Sequence, residues 1–182
     1  MKPNSAIHTE PDLWVFAYGS LMWNPGFAYV ERHRATLHGA HRSLCIYSTH
    51  YRGTQSCPGL VMGLDRGGSC HGFAFRVAKE HIGETRAYLA ARELITHVYK
   101  EVTRPLRLED GRRVAGLCYV ADPTHPQYAG RLTREETLRL IRQGCGNAGP
   151  CCDYVLNTLD ALADLGIKDH ALDWLGVALR PS

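Results

Sequence analysis

A continuous β-prone run over residues 13–18 ends abruptly at Gly19, and this break constrains the fold more than any other feature of the sequence. Runs of Trp, Val, Phe and Tyr favour strands, and glycine allows backbone conformations that a side chain would prevent. The sequence therefore predicts a buried strand followed by a tight turn. Such a turn presents unpaired N–H groups that can hold a carboxylate or carbonyl oxygen, and the Ser20 hydroxyl adds a further donor. A plain strand exit is the alternative, because Tyr-Gly-Ser is a short string that occurs in many turns.

Length and composition indicate one globular domain. The chain has 182 residues, of which 45% are hydrophobic and 21% charged, and a chain of this size can bury a sizeable core. We expect a flexible N-terminal segment over residues 1–12 and a single domain over residues 13–182.

Charge and hydropathy exclude several classes of partner. The formal net charge is +3 and the sequence contains no basic block, so we expect no nucleic-acid partner, although mild positive charge suits a small anionic substrate. No run of apolar residues is long enough to span a bilayer, and residues 1–11 lack the apolar centre of a secretion signal. The sequence therefore predicts a cytoplasmic protein without a membrane partner.

The seven cysteines do not form a disulfide or zinc-binding pattern. Their number is odd and no C-x-x-C pair is present. A soft metal near Cys145, Cys151, Cys152 and His125 is disfavoured, because adjacent helical residues point about 100° apart. We predict no metal site and assign no role to the cysteines of this stretch. Small apolar core residues are expected at Cys45, Cys70 and Cys118.

Alternating and continuous apolar patterns predict several further strands. An Asp-Gly turn at residues 109–112 indicates an antiparallel hairpin between residues 103–108 and 113–120. Gly53 and Pro58, which bound residues 53–58, predict a loop there. The other predicted strands cover residues 34–42, 43–48, 60–64 and 73–77.

Helix signals gather towards the C-terminus. A capping box over residues 133–136 opens a helix that runs to about Gln143, and Gly166 is the expected C′ residue of a helix beginning near Cys151. A third helix is predicted to begin near Asp169. Strands joined by short turns, one inserted helix and helices at the end describe an α+β domain.

The inserted helix, predicted over residues 79–97, carries an acid on its apolar stripe. Glu93 falls on that stripe, whereas Glu84 lies on the opposite face. Burial raises the pKa of a carboxyl and makes it able to take a proton near neutral pH. The alternative is an ion pair of Glu93 with Arg86, Arg92 or His97.

Several short strings recur together in this sequence: Trp14–Pro25, Phe27-Ala28-Tyr29, Arg52-Gly53, Pro58-Gly59, Gly72–Phe75, Arg92-Glu93 with Tyr99, Asp122-Pro123 with Tyr128, and Asn147 with Tyr154. Taken together, they resemble the ChaC family over nearly the whole chain, from Trp14 to about Leu179. The resemblance implies a compact mixed or antiparallel β-barrel with flanking helices. It departs from the usual family pattern at Ala17, where glycine is common and the methyl is expected to narrow the pocket floor. It also departs over residues 95–99, where many relatives carry a Gly-Gly-Tyr segment.

The resemblance further implies a γ-glutamylcyclotransferase that acts on glutathione and releases 5-oxoproline and cysteinylglycine. It makes Glu93 the acid and base, and places Tyr154 and, less directly, Arg52 at the substrate. The rest of the implied substrate site is the segment Ala17, Tyr18, Gly19, Ser20, Leu21 and Met22.

The implied chemistry is an intramolecular attack by the glutamyl α-amine, which requires no metal, nucleotide or other cofactor. In agreement, the sequence lacks a P-loop, an H-E-x-x-H helix and a G-x-S-x-G elbow. Two alternatives remain open: a non-catalytic binding or regulatory barrel, and a cyclotransferase for other γ-glutamyl amines. The expected partner is a small molecule, either glutathione or a related γ-glutamyl peptide.

Overall fold

A closed five-stranded barrel forms the centre of the protein. The computed structural model describes residues 12–94 and 96–180, so the predicted flexible segment 1–12 lies outside the described residues except for Asp12. The strands are β1 (Leu13–Ala17), β2 (Glu31–Ser48), β3 (Gly59–Val77), β4 (Tyr99–Leu108) and β5 (Arg113–Ala121), with a small pair β6 (Cys145–Gly146) and β7 (Gly149–Pro150). The helices are α1 (Ile82–Glu93), α2 (Arg134–Gln143), α3 (Cys151–Asp164) and α4 (Asp173–Leu179).

The barrel has the strand order β1-β3-β2-β4-β5, and β5 closes it by pairing in parallel with β1. The other barrel ladders are antiparallel. Every residue of β1 is buried, as its continuous apolar pattern predicts for a strand covered on both faces. The predicted α+β class and mixed barrel with flanking helices are confirmed.

Two long strands replace four short predicted ones. Residues 34–42 and 43–48 belong to the single strand β2, and residues 60–64 and 73–77 both belong to β3. The ladder between them continues through register shifts at His38/Ala40 and Ser43/Ile46, and Gly39 between the first two has φ of +83°. Bulges bend a strand without ending it, so the polar stretches that look like breaks are exposed parts of one hairpin.

The predicted helix over residues 79–97 is too long at both ends. Lys79–His81 forms a 3-10 turn before α1, and the helix ends at Glu93. His97 has φ of +57°, a left-handed conformation that cannot continue an α-helix. Residue 95, inside the predicted range, lies outside the described residues.

The C-terminal helices follow their predicted signals more closely. Glu136 N–H donates to Thr133 Oγ1 at 3.2 Å and Thr133 N–H donates to Glu136 Oε2 at 2.9 Å, which confirms the capping box. Gly166 has φ of +63° after α3, as expected of a C′ glycine. The third helix begins at Asp173 rather than near Asp169, because the Asp169 carboxylate accepts from Arg42 Nη1 at 2.5 Å and does not cap a helix.

The three C-terminal helices cover part of the barrel. Buried residues of α2, α3 and α4 join the same apolar core as β1 and β3. Among the described residues, no helix combines the length and apolar character needed to cross a bilayer. The candidate site is a cavity beside this core, lined by the turn after β1, by β3, β4 and β5, by α3 and by the end of α1.

Candidate active site

The turn after β1 is a single 3-10 turn, Ser20–Met22, held against the core by its buried side chains. Leu21 and Met22 are buried, and Met22 N–H donates to Gly19 O at 2.9 Å. The amides of Gly19, Ser20 and Leu21 donate to no acceptor within residues 12–94 and 96–180. These amides are the unpaired donors that the first turn of any helical segment leaves behind.

Gly19 faces open space. Its φ of −132° is not left-handed, and a Cβ built on it would meet no heavy atom within 4 Å. Glycine is therefore not required here by packing against the protein. A bare backbone beside a cavity instead allows close approach of a ligand.

A cavity of about 90 Å³ opens above this turn. Its volume is well below the roughly 300 Å³ of a pocket that encloses a drug-sized ligand. It therefore suits a small group, or one end of a larger ligand. The lining residues are Tyr18, Gly19, Ser20, Leu21, Met62, Glu93, Tyr99, Tyr119 and Tyr154.

Glu93, the last residue of α1, brings a carboxylate to this cavity. Its side chain is 18% exposed, and burial raises its pKa above the usual value, although the neighbouring Arg92 cation opposes the rise. Arg92 Nε lies 3.3 Å from Glu93 Oε1, so Arg92 is the ion-pair partner among the three candidates. Within the described residues the carboxylate accepts no hydrogen bond, so Oε2, which is not the atom paired with Arg92, is available to a ligand.

Arg92 also joins α1 to the turn. Its Nη2 donates to Ser20 Oγ at 2.6 Å, and its Nη1 donates to Tyr88 Oη at 2.7 Å and to Asn24 O at 3.1 Å. The bonded guanidinium thus positions the acid and the turn relative to each other. The sequence indicates Arg92 as a possible ion-pair partner of Glu93 and as part of a matching string, but not its hydrogen bond to Ser20.

Two tyrosines are held by one backbone residue. Met62 N–H donates to Tyr154 Oη at 3.0 Å, and Tyr99 Oη donates to Met62 O at 2.7 Å. Burial raises the pKa of Tyr154 to about 12, and burial followed by neighbouring acidic groups raises the pKa of Tyr99 and Tyr18. The phenols therefore stay protonated; Tyr154 and Tyr18 can act as neutral hydrogen-bond donors to a ligand, whereas the Tyr99 proton is already donated to Met62 O.

A fourth phenol is tied to a surface ion pair. Tyr119 Oη donates to Glu101 Oε2 at 3.0 Å, and Glu101 Oε1 accepts from Arg86 Nη1 at 2.8 Å. Burial, reinforced by the Glu101 carboxylate, raises the pKa of Tyr119. Arg86 is committed to Glu101 and is thereby removed from the possible partners of Glu93.

The structure gathers most of the site residues expected from the sequence. Tyr18, Gly19, Ser20, Leu21, Glu93 and Tyr154 line the cavity, whereas Ala17, Met22 and Arg52 do not. Ala17 is fully buried in the ladder opposite Phe73, so its methyl lies outside the cavity wall.

Arg52 lies behind Tyr154 rather than in the cavity. Its Nη1 donates to Ala148 O at 2.5 Å and to Pro150 O at 3.3 Å, and its guanidinium lies 5.4 Å from the centre of the Tyr154 ring. Arg52 therefore supports the ring from outside.

Met62, Tyr99 and Tyr119 line the cavity without having been predicted as site residues. Tyr99 follows the Arg92-Glu93 string, and Tyr119 lies in the predicted strand 113–120. The pairing of β5 with β1, which closes the barrel, brings β4 and β5 to the turn after β1.

A larger surface groove of about 630 Å³ lies between β2, the end of β4 and residues 166–168. Its one acidic residue, Glu109, has a side chain that is 52% exposed, so the groove lacks a desolvated acid. The smaller cavity is the better candidate because it combines a buried carboxylate with unpaired donors.

All seven cysteines are free thiols. Cys151 Sγ accepts from Leu60 N–H at 3.2 Å and lies 3.1 Å from Leu60 O, and burial raises the pKa of Cys45 and Cys118 to about 12. Raised pKa values keep thiols protonated and unreactive. No cluster of three or more potential metal ligands occurs within residues 12–94 and 96–180.

Comparison with known sequences identifies relatives along nearly the whole chain. The model of the family described as ChaC-like protein matches residues 13–180. A glutathione-specific gamma-glutamylcyclotransferase from Escherichia coli K12 is 35% identical over 171 residues, which cover 94% of this chain and 74% of that protein. Glutathione-specific gamma-glutamylcyclotransferase 1 from Homo sapiens is 34% identical over 152 residues, covering 81% of this chain and 68% of that protein.

A solved structure shares the fold. The yeast gamma-glutamyl cyclotransferase specific to glutathione superposes with a TM-score of 0.81 at 24% identity, covering 92% of this chain and 95% of that one. At this identity, the likeness concerns the fold alone.

Proposed function

The chain belongs to the ChaC-like family, and we propose that it is a γ-glutamylcyclotransferase that converts glutathione into 5-oxoproline and cysteinylglycine. The observation that carries the proposal is the position of Glu93. Its largely buried carboxylate accepts no hydrogen bond from the described residues and lines the same cavity as the unpaired amides of Gly19 and Ser20. A proton acceptor and a set of anion-binding donors are the two parts that this reaction needs.

The nucleophile belongs to the substrate. In a γ-glutamyl amide the α-amine can fold onto its own γ-carbonyl carbon and close a five-membered lactam. A new C–N bond forms, the γ-amide C–N bond breaks, and cysteinylglycine leaves as the amine. The protein contributes by holding the folded conformer, which makes the attack effectively pre-oriented. The reaction is neither a hydrolysis nor a redox step and calls for no cofactor.

Glu93 moves the proton. Its carboxylate takes a proton from the α-ammonium as the amine attacks, and the resulting carboxyl delivers one to the departing nitrogen as the tetrahedral species collapses. A pKa raised by burial supports both steps, because it brings the acid and base forms closer in population near neutral pH.

Neutral donors surround the place where negative charge lies. The amides of Gly19, Ser20 and Leu21 and the protonated phenols of Tyr18 and Tyr154 can donate to the α-carboxylate or to the developing oxyanion, whereas Tyr99 and Tyr119 already donate to Met62 O and Glu101. Fixed donors in a site largely shielded from water stabilise such charge without reorganisation. In this proposal the substrate contacts are Tyr18, Gly19, Ser20, Leu21 and Tyr154, with Met62, Tyr99 and Tyr119 completing the wall.

The size of the cavity directs recognition to the glutamyl half. A volume of about 90 Å³ leaves the leaving group outside the enclosed space. This observation also favours a second candidate, a cyclotransferase for other γ-glutamyl amines, because little of the cavity wall contacts the amine that leaves.

The cytoplasm, where thiols stay reduced, is the location that we propose for a protein with seven free cysteines.

Incubation of the purified protein with glutathione tests the proposal, with 5-oxoproline and cysteinylglycine measured by liquid chromatography and mass spectrometry. We expect both products in equal amounts. A parallel reaction with other γ-glutamyl dipeptides ranks the second candidate by kcat/KM. Binding of glutathione without release of 5-oxoproline would instead identify a binding barrel and contradict the proposal.

A further inference from the structure

Arg42 of β2 is a fully buried cation, each of whose three guanidinium nitrogens donates a hydrogen bond to a partner far away in the sequence. Its side chain is 1% exposed. Nε donates to Tyr18 O at 2.6 Å, Nη2 donates to His71 O at 2.7 Å, and Nη1 donates to Asp169 Oδ2 at 2.5 Å. A buried guanidinium is costly unless it is paired and hydrogen-bonded, so this arrangement fixes the three partners relative to one another.

The bond to Tyr18 sets the direction of the next amide. The described residues contain no cis peptide bond, and in a trans peptide the C=O of one residue and the N–H of the next point in opposite directions. Because Arg42 holds the Tyr18 carbonyl on its own side, the Gly19 N–H points away from Arg42. Gly19 lines the cavity and Arg42 does not.

We propose that Arg42, locked by Asp169, is a positioning residue that aims the Gly19 N–H at an anionic oxygen of the γ-glutamyl group. The inference rests on the proposed function and adds a residue that does not touch the substrate. Its motivation is that the Gly19 N–H has no acceptor among the described residues, although the carbonyl of the same peptide is held by a short hydrogen bond.

Asp169 orients the guanidinium of Arg42. It lies in the segment between α3 and α4, 127 residues from Arg42, and its carboxylate fixes one end of the planar guanidinium. Since the guanidinium is rigid and planar, fixing Nη1 and Nη2 also fixes the direction of Nε. A lysine ammonium on a flexible stem cannot hold the same three acceptors in this geometry.

Three variants separate positioning from stability. Arg42→Met combined with Asp169→Leu removes both charges, so that no unpaired charge stays buried, and the thermal midpoint shows what the loss of the two carbonyl contacts costs. Arg42→Lys keeps the positive charge but replaces the planar guanidinium with a flexible ammonium group. Arg34→Met is the matched control, because Arg34 also lies on β2 and donates to Leu165 O and Gly166 O of the C-terminal segment without touching Tyr18.

The measurements are kcat/KM for glutathione, the Kd of 5-oxoproline by calorimetry, and the thermal midpoint. We expect both Arg42 variants to lose about 10²-fold in kcat/KM, the cost typical of a donor misplaced by about 1 Å, and to bind 5-oxoproline more weakly. Arg34→Met should stay within about threefold of the parent in both. A purely structural defect would lower the binding stoichiometry and leave Kd unchanged, and it would be rescued by lysine.

The outcomes distinguish this inference from the proposed function. An active parent whose Arg42 variants keep kcat/KM and Kd within about threefold, or whose Kd stays constant while stoichiometry falls, overturns the role of Arg42. A parent that makes no 5-oxoproline overturns the proposed function, and the role of Arg42 with it.

Discussion

Arg92 donates a 2.6 Å hydrogen bond from Nη2 to Ser20 Oγ while its Nε lies 3.3 Å from Oε1 of Glu93. One guanidinium thus contacts both halves of the site, the donor-bearing turn and the acid. Its positive charge also opposes the rise in the pKa of Glu93 that burial causes. The strength of the base is therefore a balance between desolvation and one neighbouring cation.

Glu93→Gln should abolish most turnover while preserving the fold, because the amide keeps the shape of the side chain but cannot accept a proton. The expected loss in kcat is about 10²–10⁴-fold, the usual contribution of a general acid and base. Glu84→Gln is the matched control on the same helix, since its side chain is 84% exposed. Steady-state kinetics with glutathione checks both, and activity of the Glu93 variant within about threefold of the parent would reject it as the base.

Arg92→Met should move the acidic limb of the pH profile towards higher pH. The base must be ionised to act, so kcat/KM rises as the pH passes through the pKa of Glu93. Loss of the Arg92 cation removes what lowers that pKa, and the limb follows the pKa upwards. The control is Arg86→Met, whose guanidinium pairs with Glu101. A limb that stays in place or moves to lower pH would contradict this account.

The raised pKa of Glu93 should also make the stability of the folded protein depend on pH. Burial raises the pKa of Glu93 above its value of about 4.3 in an unfolded chain, so the native state binds more protons between the two values. The free energy of unfolding therefore falls as the pH rises through that window. Glu93→Gln removes this loss, and its Tm relative to the parent should improve from acidic to neutral pH. Calorimetry at several pH values tests the trend, and a Tm difference independent of pH would show that the pKa is not raised.

Gly19→Ala should impair the reaction without harming the fold. An added Cβ meets no heavy atom of the protein within 4 Å, but it projects beside the cavity where the substrate backbone would approach. We expect at least about a tenfold loss in kcat/KM with little change in Tm. Gly83→Ala, in the exposed first turn of α1 and equally free of neighbours, should leave kinetics unchanged. Equal kinetics for both variants would mean that no ligand approaches Gly19.

Acetylation of the substrate α-amine should end the reaction. An acylated nitrogen shares its lone pair with the carbonyl group and cannot attack, whereas a hydrolase that activates water would still cleave the γ-amide. In ¹⁸O-labelled water, cyclisation should give unlabelled 5-oxoproline. Labelled glutamate as the primary product, detected by mass spectrometry, would establish hydrolysis in its place.

Local patterns in the sequence predicted those features that depend on neighbouring residues. The buried run of β1, the capping box at Thr133 and the acid on the α1 stripe each follow from spacing within a few residues. The continuity of β2 and β3 escaped prediction, because a bulge at Gly39 and exposed polar residues look like a strand end when the partner strand is unknown.

The rest of the site depends on contacts between distant segments. Tyr99 and Tyr119 meet the turn because β5 closes the barrel against β1, Met62 lies on β3, the other neighbour of β1, and the buried guanidinium of Arg42 is understandable only beside Asp169. An arginine on a strand is usually exposed, and nothing near Arg42 in the sequence indicates otherwise.

The two phenols held at Met62 are hydrogen-bonded to its main chain. Since every residue other than proline offers the same N–H and C=O, these two bonds to Tyr99 and Tyr154 do not depend on which side chain occupies position 62. The cavity wall and the cavity's hydrogen-bonding frame are thus separable: apolar replacements of similar volume at this buried position can alter the wall, and with it the range of substrates, while the frame stays.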